Sequence, residues 1–396
     1  MKNKIFVVAL LSIIIIGNVA AQRLIPLTKR VNVQTELAPA DAIIDDEWVA
    51  VGTKAEHAIC LDSTTLFQGK PSFRFELRKE DNTLAGYSEG ETKGRAELSY
   101  AYVTADDVKN LTAEQIENSM QAKNIYHHGK GICGQGSTMY YRFSIYVPST
   151  LPDDVNTIFA QWHGVPNRTV VQTPEGIVKQ LSDEEFAELL QKMDFKNDTG
   201  YDKIYRNDTD GKTVLDKTGK PAFKLSKEPN GWLVDQGGYP PLAFSFSDGY
   251  FNIKANANRR FLNDKTDRTN ISTGKASTGD VRKSNYKTST LVYKNDLSQF
   301  PKNQWVTFYT QIKWNKFSGI SGKIEDEGLI DVMMSYDKKG KEINEHIVDN
   351  MKVSVGNNNK EGAYFKFGIY RVGNSTVPVS YNLANYKEGL TPESIK

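Results

Sequence analysis

Short segments rich in aromatic and β-branched residues recur along most of this chain, separated by Gly, Asn, Asp and Pro. This pattern is typical of antiparallel strands joined by turns. Helical periodicity is scarce, so we predict an all-β fold, a β-jelly-roll sandwich. The clearest predicted strands are Ser72–Leu77, Met139–Val147, Leu242–Phe246, Tyr250–Ala255, Trp305–Trp314 and Leu329–Tyr336.

One stretch interrupts the β pattern. Between residues 174 and 230 the composition becomes charged and lysine-rich, and a capping box at Ser182 and Glu185 precedes a short amphipathic helical pattern. We predict an inserted, partly helical lobe beside the cleft of the sandwich. The jelly roll then comprises residues 22–173 and 231–396.

The N-terminus has the features of an export signal. Lys2 and Lys4 precede an apolar run, Ile5 to Ile16, which is followed by small residues up to Ala21. We therefore expect a signal peptide over residues 1–21 and a secreted, periplasmic protein. The run is too short to span a bilayer comfortably, so no membrane association is expected.

The charge balance bears on the kind of partner. Without Lys2 and Lys4, the 50 basic residues are reduced to the number of acidic ones, 48. A formally neutral chain does not have the global basic excess of proteins that bind nucleic acid with their whole surface. Any site for a polyanion must be a local basic cluster.

Two cysteines, Cys60 and Cys133, would lie in a compartment that permits a disulfide, and the pairing stays open. Cys133 lies in the glycine-rich segment Gly-Lys-Gly-Ile-Cys-Gly-Gln-Gly, where a nearby lysine would favour an exposed thiolate. The alternative is a small, half-buried apolar residue.

Three segments concentrate polar groups on one face of a predicted strand, because alternate side chains of a strand point to opposite faces. They are Arg95-Ala-Glu97, Gln161-Trp-His163 and Tyr364-Phe-Lys-Phe-Gly-Ile-Tyr370. In the third, Gly368 is expected to leave room for a ligand. Taken singly, each segment has a simpler interpretation: a surface ion pair for Arg95 and Glu97, a packed structural residue for His163, and a solvated face for Tyr364–Tyr370. We expect all three to share the concave face of one sheet.

Together these segments resemble those of the β-jelly-roll alginate lyases, and nearly the whole mature chain resembles the heparin lyase I family of polysaccharide lyases. The longer matching segments are Arg30–Gln34, Gly90–Arg95, Tyr126–Cys133, Ile158–Gly164 and Tyr364–Pro378. The resemblance implies a concanavalin-like jelly roll. It also implies eliminative, endolytic cleavage of heparin and highly sulfated heparan sulfate at glucosamine to 2-O-sulfated iduronate linkages, with 4,5-unsaturated products.

β-Elimination at a uronic acid needs a base, an acid for the leaving oxygen and a group that neutralises the carboxyl. His163 is the predicted base and Tyr370 the predicted acid, with Tyr364 the next candidate. Gln161 or Arg95 would hold the carboxyl. The remaining predicted contacts to the sulfated glycosaminoglycan are Gln34, Lys93, Cys133, Arg168, Tyr364, Lys366 and Arg371.

Relatives can carry a histidine in an Ala-His-Asp-Lys context where this chain has Gly200-Tyr-Asp-Lys203, which leaves His163, His127 and His128 as candidates. The family is also associated with calcium, and Asp208-Thr-Asp-Gly211 has part of a calcium-loop pattern. Arg206 and Lys217 occupy the first and last EF-hand positions, so it is not an EF-hand. The Asn-rich loop 356–362 is an alternative, and the metal ligands stay unassigned.

Three alternatives belong to other classes. A noncatalytic glycosaminoglycan-binding module on the same fold would need no base and acid pair. A lyase for another uronate polysaccharide, such as alginate, would use the same three segments. A hydrolase normally needs two carboxylates flanking the bond, and the three segments contain one, Glu97. We favour the lyase and expect a monomer.

Overall fold

The structure is a computed structural model of the 396-residue chain. It describes residues 24–26, 32–33, 48–52, 55–81, 94–102, 128–129, 133–164, 170–172, 178–180, 240–259, 287–318, 322–358, 362–371 and 376–396. The expected signal peptide at residues 1–21 lies outside these ranges. No helix within them is long and apolar enough to cross a membrane.

The described residues are mostly strands. Numbered along the chain, they are β1 (Leu24–Pro26), β2 (Asn32–Val33), β3 (Trp48–Gly52), β4 (Ile59–Phe67), β5 (Lys70–Leu77), β6 (Arg95–Tyr102), β7 (His128–Gly129), β8 (Thr138–Tyr146), β9 (Thr157–Gly164), β10 (Val170–Gln172), β11 (Val178–Gln180), β12 (Leu242–Ser247), β13 (Tyr250–Asn258), β14 (Lys287–Asp296), β15 (Trp305–Lys313), β16 (Lys316–Phe317), β17 (Ile324–Asp326), β18 (Leu329–Lys338), β19 (Lys341–Lys352), β20 (Gly356–Asn357), β21 (Ala363–Arg371) and β22 (Val379–Gly389). Short 3-10 turns occur at Leu297–Gln299 and Pro392–Ile395.

Two large sheets form a jelly-roll sandwich. In the described residues one has eight strands in the order β1-β4-β5-β22-β8-β15-β18-β19, and the other has ten. The main path of the ten-stranded sheet is β14-β13-β12-β9-β21-β6-β3-β2, with β7 and β20 added beside β6 and β13. The predicted all-β sandwich is confirmed, and each strand predicted from the sequence is present with ends that differ by a few residues.

The core lies between the two sheets and is built largely from aromatic rings. The core follows from the alternation of side chains along each strand. Along β15 every second residue is buried, because alternate side chains point towards the opposite sheet. On β21, Phe365 and Phe367 point inward and stack near Tyr386 of β22, with the Phe365 and Tyr386 ring centroids 4.5 Å apart. This leaves the other face of β21 for polar residues.

The predicted inserted lobe is represented only at its start. β10 (Val170–Gln172) and β11 (Val178–Gln180) pair as antiparallel strands, and residues 181–239 lie outside the described ranges. The predicted helix after Ser182 is therefore neither confirmed nor contradicted.

A bulge in β21 determines the conformation of Gly368. Pairing between β21 and β9 shifts by one residue between Phe367 and Tyr370, and Gly368 has φ +132°. A Cβ at Gly368 would lie 2.3 Å from the Ala96 carbonyl oxygen and 2.6 Å from the Glu97 Cα. The expectation that this glycine makes room for a ligand is corrected: it allows the backbones of β21 and β6 to approach each other at a bulge.

We predict that Gly368→Ala destabilises the fold by at least about 3 kcal/mol, because a positive φ and a backbone collision both oppose the added methyl. Urea unfolding would measure this. Gly340→Ala is the matched control: its φ is +79° and nothing lies within 4 Å of the added Cβ, so about 1 kcal/mol is expected. Equal losses in the two variants would contradict the collision.

Candidate active site

Strand register brings the three polar segments together on one face of the ten-stranded sheet. β6, β21 and β9 are neighbours in that order. Across them, Tyr370 pairs with Arg95, and Tyr364 pairs with His163. Lys366 lies between Ser99 on one side and Gln161 on the other. Cross-strand partners point to the same side of a sheet, so these polar side chains occupy the face turned away from the core.

The carboxylate of Glu97 is the centre of this face. It is 1% exposed. Arg95 Nε lies 2.9 Å from Glu97 Oε2, and Lys366 Nζ lies 3.0 Å from the same oxygen. The side-chain amide of Gln161 donates to Glu97 Oε1. One buried anion therefore holds donors from three adjacent strands.

The surroundings of Glu97 keep it ionised. Burial by itself raises the pKa of this carboxyl, but the charges of Lys366 and Arg95, with hydrogen bonds from Lys366 and Gln161, lower the pKa below its ordinary value. A buried carboxylate is stable only when it is paired and hydrogen-bonded. The cluster of Arg95, Lys366, Gln161 and Glu97, called the Glu97 cluster below, fulfils this requirement.

His163 lies beside the Glu97 cluster and stays partly exposed. Its Nδ1 is 2.9 Å from the carbonyl oxygen of Gly164. A carbonyl only accepts, so Nδ1 carries the proton, and in the neutral ring the lone pair is on Nε2. The rings of His163 and Tyr364 have centroids 5.7 Å apart. This arrangement suits an imidazole that takes a proton at Nε2.

Tyr370 lies at the other side of the Glu97 cluster. The Arg95 guanidinium carbon is 4.5 Å from the centre of the Tyr370 ring, a cation–π contact. Six residues along β21 separate Tyr370 from Tyr364, the partner of His163, which is about 20 Å of extended strand. The hydroxyl of Tyr370 and the imidazole of His163 can act on one sugar only if both side chains lean towards Glu97.

Arg371 does not lie on this face. It is fully buried, and its guanidinium donates to three backbone carbonyls: those of Arg78 at 2.8 Å, Asp81 at 2.7 Å and Val377 at 3.2 Å. Being one position past Tyr370, it points to the opposite side of β21. The expected contact between Arg371 and substrate does not fit this placement. The side chain of Arg371 instead links β21 to the backbone at residues 78–81 and at Val377.

Cys133 is also buried, which fits the alternative of a small apolar residue and does not fit an exposed thiolate in contact with substrate. Its backbone N–H bonds to the Ala363 carbonyl, and its Sγ lies 2.7 Å from Ser137 Oγ. Burial raises the pKa of the Cys133 thiol to about 11, and likewise that of Cys60. Both cysteines are free thiols, so the disulfide left open by the sequence is not formed.

Three predicted contacts, Gln34, Lys93 and Arg168, lie outside the described residues, as do His127 and the segments 200–203 and 208–211. The side chain of His128 in β7 is likewise not described. Predictions for these residues stay predictions.

In the part of the chain that the structure describes, no group of three or more carboxylates lies close enough together to bind calcium. Asn358, in the Asn-rich loop, is buried with its Nδ2 bonded to the Arg259 carbonyl and its Oδ1 bonded to Gln135. A group of Asp331, His346 and Asp349 has ligand atoms within 4.8 Å of one another, but it contains an imidazole and lies on the eight-stranded sheet. Calcium prefers oxygen donors throughout.

Glu97 lies in one of the three polar segments, but no role was predicted for it from the sequence. The sequence contained an indication of a role for Glu97: it is an acidic residue two positions from Arg95, on the face predicted to carry Lys366 and Gln161. The pairing itself joins residues 269 positions apart, and strand alternation does not specify such distant partners.

Comparisons with known proteins show that the chain is similar to polysaccharide lyases. The family model described as Polysaccharide lyase matches residues 44–382. Heparin lyase I of Pedobacter heparinus is 50% identical over 359 residues, which cover 91% of this chain and 91% of that protein.

Solved structures similar to this chain include a family 7 alginate lyase in complex with substrate, with 10% identity, 85% and 82% of the two chains covered and a TM-score of 0.30. A PL-14 alginate lyase from Aplysia kurodai has 8% identity, 85% and 88% coverage and a TM-score of 0.35. TM-scores this low carry no argument about the site.

We predict that both thiols of the folded protein react with a thiol reagent at least about 100-fold more slowly than the thiols of the unfolded chain near neutral pH. A pKa raised by two units reduces the thiolate, the reactive form, by that factor, and burial slows access further. Time-resolved labelling with and without urea would measure this, with Cys60→Ser assigning the signal of Cys133. Fast labelling of native Cys133 would contradict its burial.

Proposed function

Because this chain belongs to the heparin lyase I family of polysaccharide lyases, we propose that it cleaves heparin and highly sulfated heparan sulfate internally by β-elimination. The proposed bond joins glucosamine to 2-O-sulfated iduronate, and the product carries a 4,5-unsaturated uronate. The observation that carries the chemistry is the Glu97 cluster beside a histidine with its lone pair on Nε2. The similarity to heparin lyase I supports the substrate.

Elimination removes the proton at C5 of the uronate and expels the oxygen at C4. The C5 proton is acidic because the neighbouring carboxyl can accept the electron pair, but an ionised carboxylate accepts it poorly. Donors must therefore be aimed at the carboxyl as charge develops. Arg95, Lys366 and Gln161 converge at Glu97, and we assign them this neutralising role.

His163 is the proposed base. The carbonyl of Gly164 fixes the ring through Nδ1, which leaves Nε2 as the atom that takes the C5 proton. Ring orientation by a second hydrogen bond is a common feature of catalytic histidines, because it selects the tautomer.

Tyr370 is the proposed acid for the leaving oxygen, and Tyr364 is the second candidate. Tyr370 stays partly exposed and has a cation, Arg95, against its ring. Tyr364 is buried and adjacent to His163. Since C4 and C5 are bonded neighbours, acid and base must approach the same sugar. If Tyr370 is the acid, its side chain and that of His163 must both point towards Glu97.

A hydrolase is disfavoured by the state of Glu97. A glycosidase needs a protonated carboxyl as general acid beside a second carboxylate. The pKa of Glu97 is lowered by the charges and hydrogen bonds that offset its burial, so it remains an anion. A noncatalytic binding module, or a lyase for alginate, would share the cationic face and is distinguished by the assays below.

We also propose, from the sequence, export to the periplasm on a signal peptide over residues 1–21, calcium as a cofactor, and a monomeric protein. Mass spectrometry of the exported chain, activity after chelation and size-exclusion chromatography test these three proposals.

We predict that the purified protein releases unsaturated uronate from heparin and heparan sulfate, and much less from chondroitin sulfate or alginate. The ultraviolet absorbance of the unsaturated product measures it directly. Binding without any product would support the noncatalytic module. New reducing ends without the chromophore would show hydrolysis, and a preference for alginate would identify the other lyase activity.

We predict that His163→Ala and Tyr370→Phe each lose at least about 100-fold in kcat, the low end of what a positioned base or acid contributes. The KM should change little, since these groups act mainly in the transition state. Steady-state kinetics on heparin would test this, with circular dichroism to verify folding.

Tyr309→Phe, on the eight-stranded sheet, is the matched control and should retain wild-type kcat. Tyr364→Phe decides between the two tyrosines. If Tyr364→Phe is inactive while Tyr370→Phe is fully active, the acid is Tyr364. Full activity of both folded variants and of His163→Ala would place the catalytic groups elsewhere.

A further inference from the structure

We infer that Glu97 is a positioning residue of the lyase site: it aligns Arg95, Lys366 and Gln161 for the transition state and, by cancelling one positive charge, weakens ground-state binding of the sulfated chain. This inference rests on the proposed elimination, and it adds a role for a residue that would not itself touch the substrate.

The first step of the argument is alignment. Arg95, Lys366 and Gln161 have long side chains on three different strands, and free side chains of this kind sample many rotamers. Contacts of 2.9 and 3.0 Å to one Glu97 oxygen, with the Gln161 amide on the other, restrict all three at once. Catalytic donors act most strongly when they are already oriented before charge develops.

The second step is location. Buried ion pairs are often purely structural. A purely structural pair is not expected to lie next to side chains that can act as an acid and a base. Here Arg95 contacts the Tyr370 ring, and Gln161 is two positions from His163 on the same face of β9. The anion therefore lies between the two proposed catalytic groups.

The third step is charge. Arg95 and Lys366 contribute two positive charges and Glu97 one negative charge, so the three groups sum to a single positive charge. A binding protein for a polyanion would gain affinity without that carboxylate, because Coulomb attraction is strong away from water. Affinity for substrate and transition state alike lowers KM without raising kcat. A buried carboxylate at this point is thus expected in an enzyme that favours turnover over tight binding.

The eight-stranded sheet contains a matched comparison. Glu76 on β5 also bridges two cations, Arg74 and Arg78, with its Oε1 2.8 Å from Arg78 Nε. It lies on the other sheet, among partly exposed residues. Glu76→Gln therefore removes one charge from a two-cation cluster without altering the Glu97 cluster.

The experiment compares Glu97→Gln, Glu97→Asp and Glu76→Gln in the full-length protein. Two quantities are measured: kcat on heparin, and the inhibition constant of carboxyl-reduced heparin. That polymer keeps its sulfates but has no uronate carboxyl to activate C5, so its inhibition constant reports ground-state binding alone.

For Glu97→Gln we expect kcat to fall at least about 30-fold, as when an oriented donor to a developing oxyanion is lost. The inhibition constant should fall about threefold or more, because a negative charge has been removed. For Glu97→Asp we expect kcat to fall while the inhibition constant stays at the wild-type value, since the charge is kept and the reach is shortened. Glu76→Gln should match the wild type in both.

A rise of the inhibition constant together with a fall of kcat in Glu97→Gln would show a merely structural role and overturn the inference. So would a kcat within about threefold of wild type in Glu97→Asp, which remains decisive if Glu97→Gln does not fold. Absence of any eliminated product from the wild-type enzyme would instead reject the proposed function, a result visible before any variant is made.

Discussion

A buried negative charge needs compensating partners, and the arrangement of the central sheet meets that need at Glu97. Its carboxylate is held by Arg95 on its own strand, Lys366 on β21 and Gln161 on β9. Removing these partners would leave an uncompensated ion in a buried site, at a cost of several kcal/mol. The ion pairs and hydrogen bonds of Glu97 therefore favour the strand order β6-β21-β9 and its register, and they also orient the side chains of the polar face.

The sandwich supports this face from behind. Phe365 and Phe367 alternate with Tyr364, Lys366 and the residues that follow, so each residue of β21 contributes to the core or to the polar face. Stacking of Phe365 on Tyr386 holds the strand against the eight-stranded sheet. Because protein interiors are closely packed, the core beneath β21 restricts the movement of the strand that carries these polar side chains. The bulge at Gly368 then alters the register beyond Phe367, which sets where Tyr370 lies relative to β9.

Much of the candidate site followed from short polar segments. Alternation predicted that Arg95 and Glu97 share a face, as do Gln161 and His163, and the structure places them so. Arg371 and Cys133 were also predicted to contact the substrate, but neither lies on the face that carries the Glu97 cluster. The burial of each depends on partners far away in the chain: Arg78 and Asp81 for Arg371, and Ala363 for Cys133.

The sequence by itself determined the all-β class, the positions of the main strands and the division of β21 into an apolar and a polar face, because these follow from the two-residue period of a local backbone conformation. Only the tertiary structure decided that Glu97 meets Lys366, that Gly368 lies in a bulge and that Tyr364, rather than Tyr370, is the neighbour of His163. Register and bulges arise from pairing between distant strands, and a one-residue shift changes every partner without altering the local pattern.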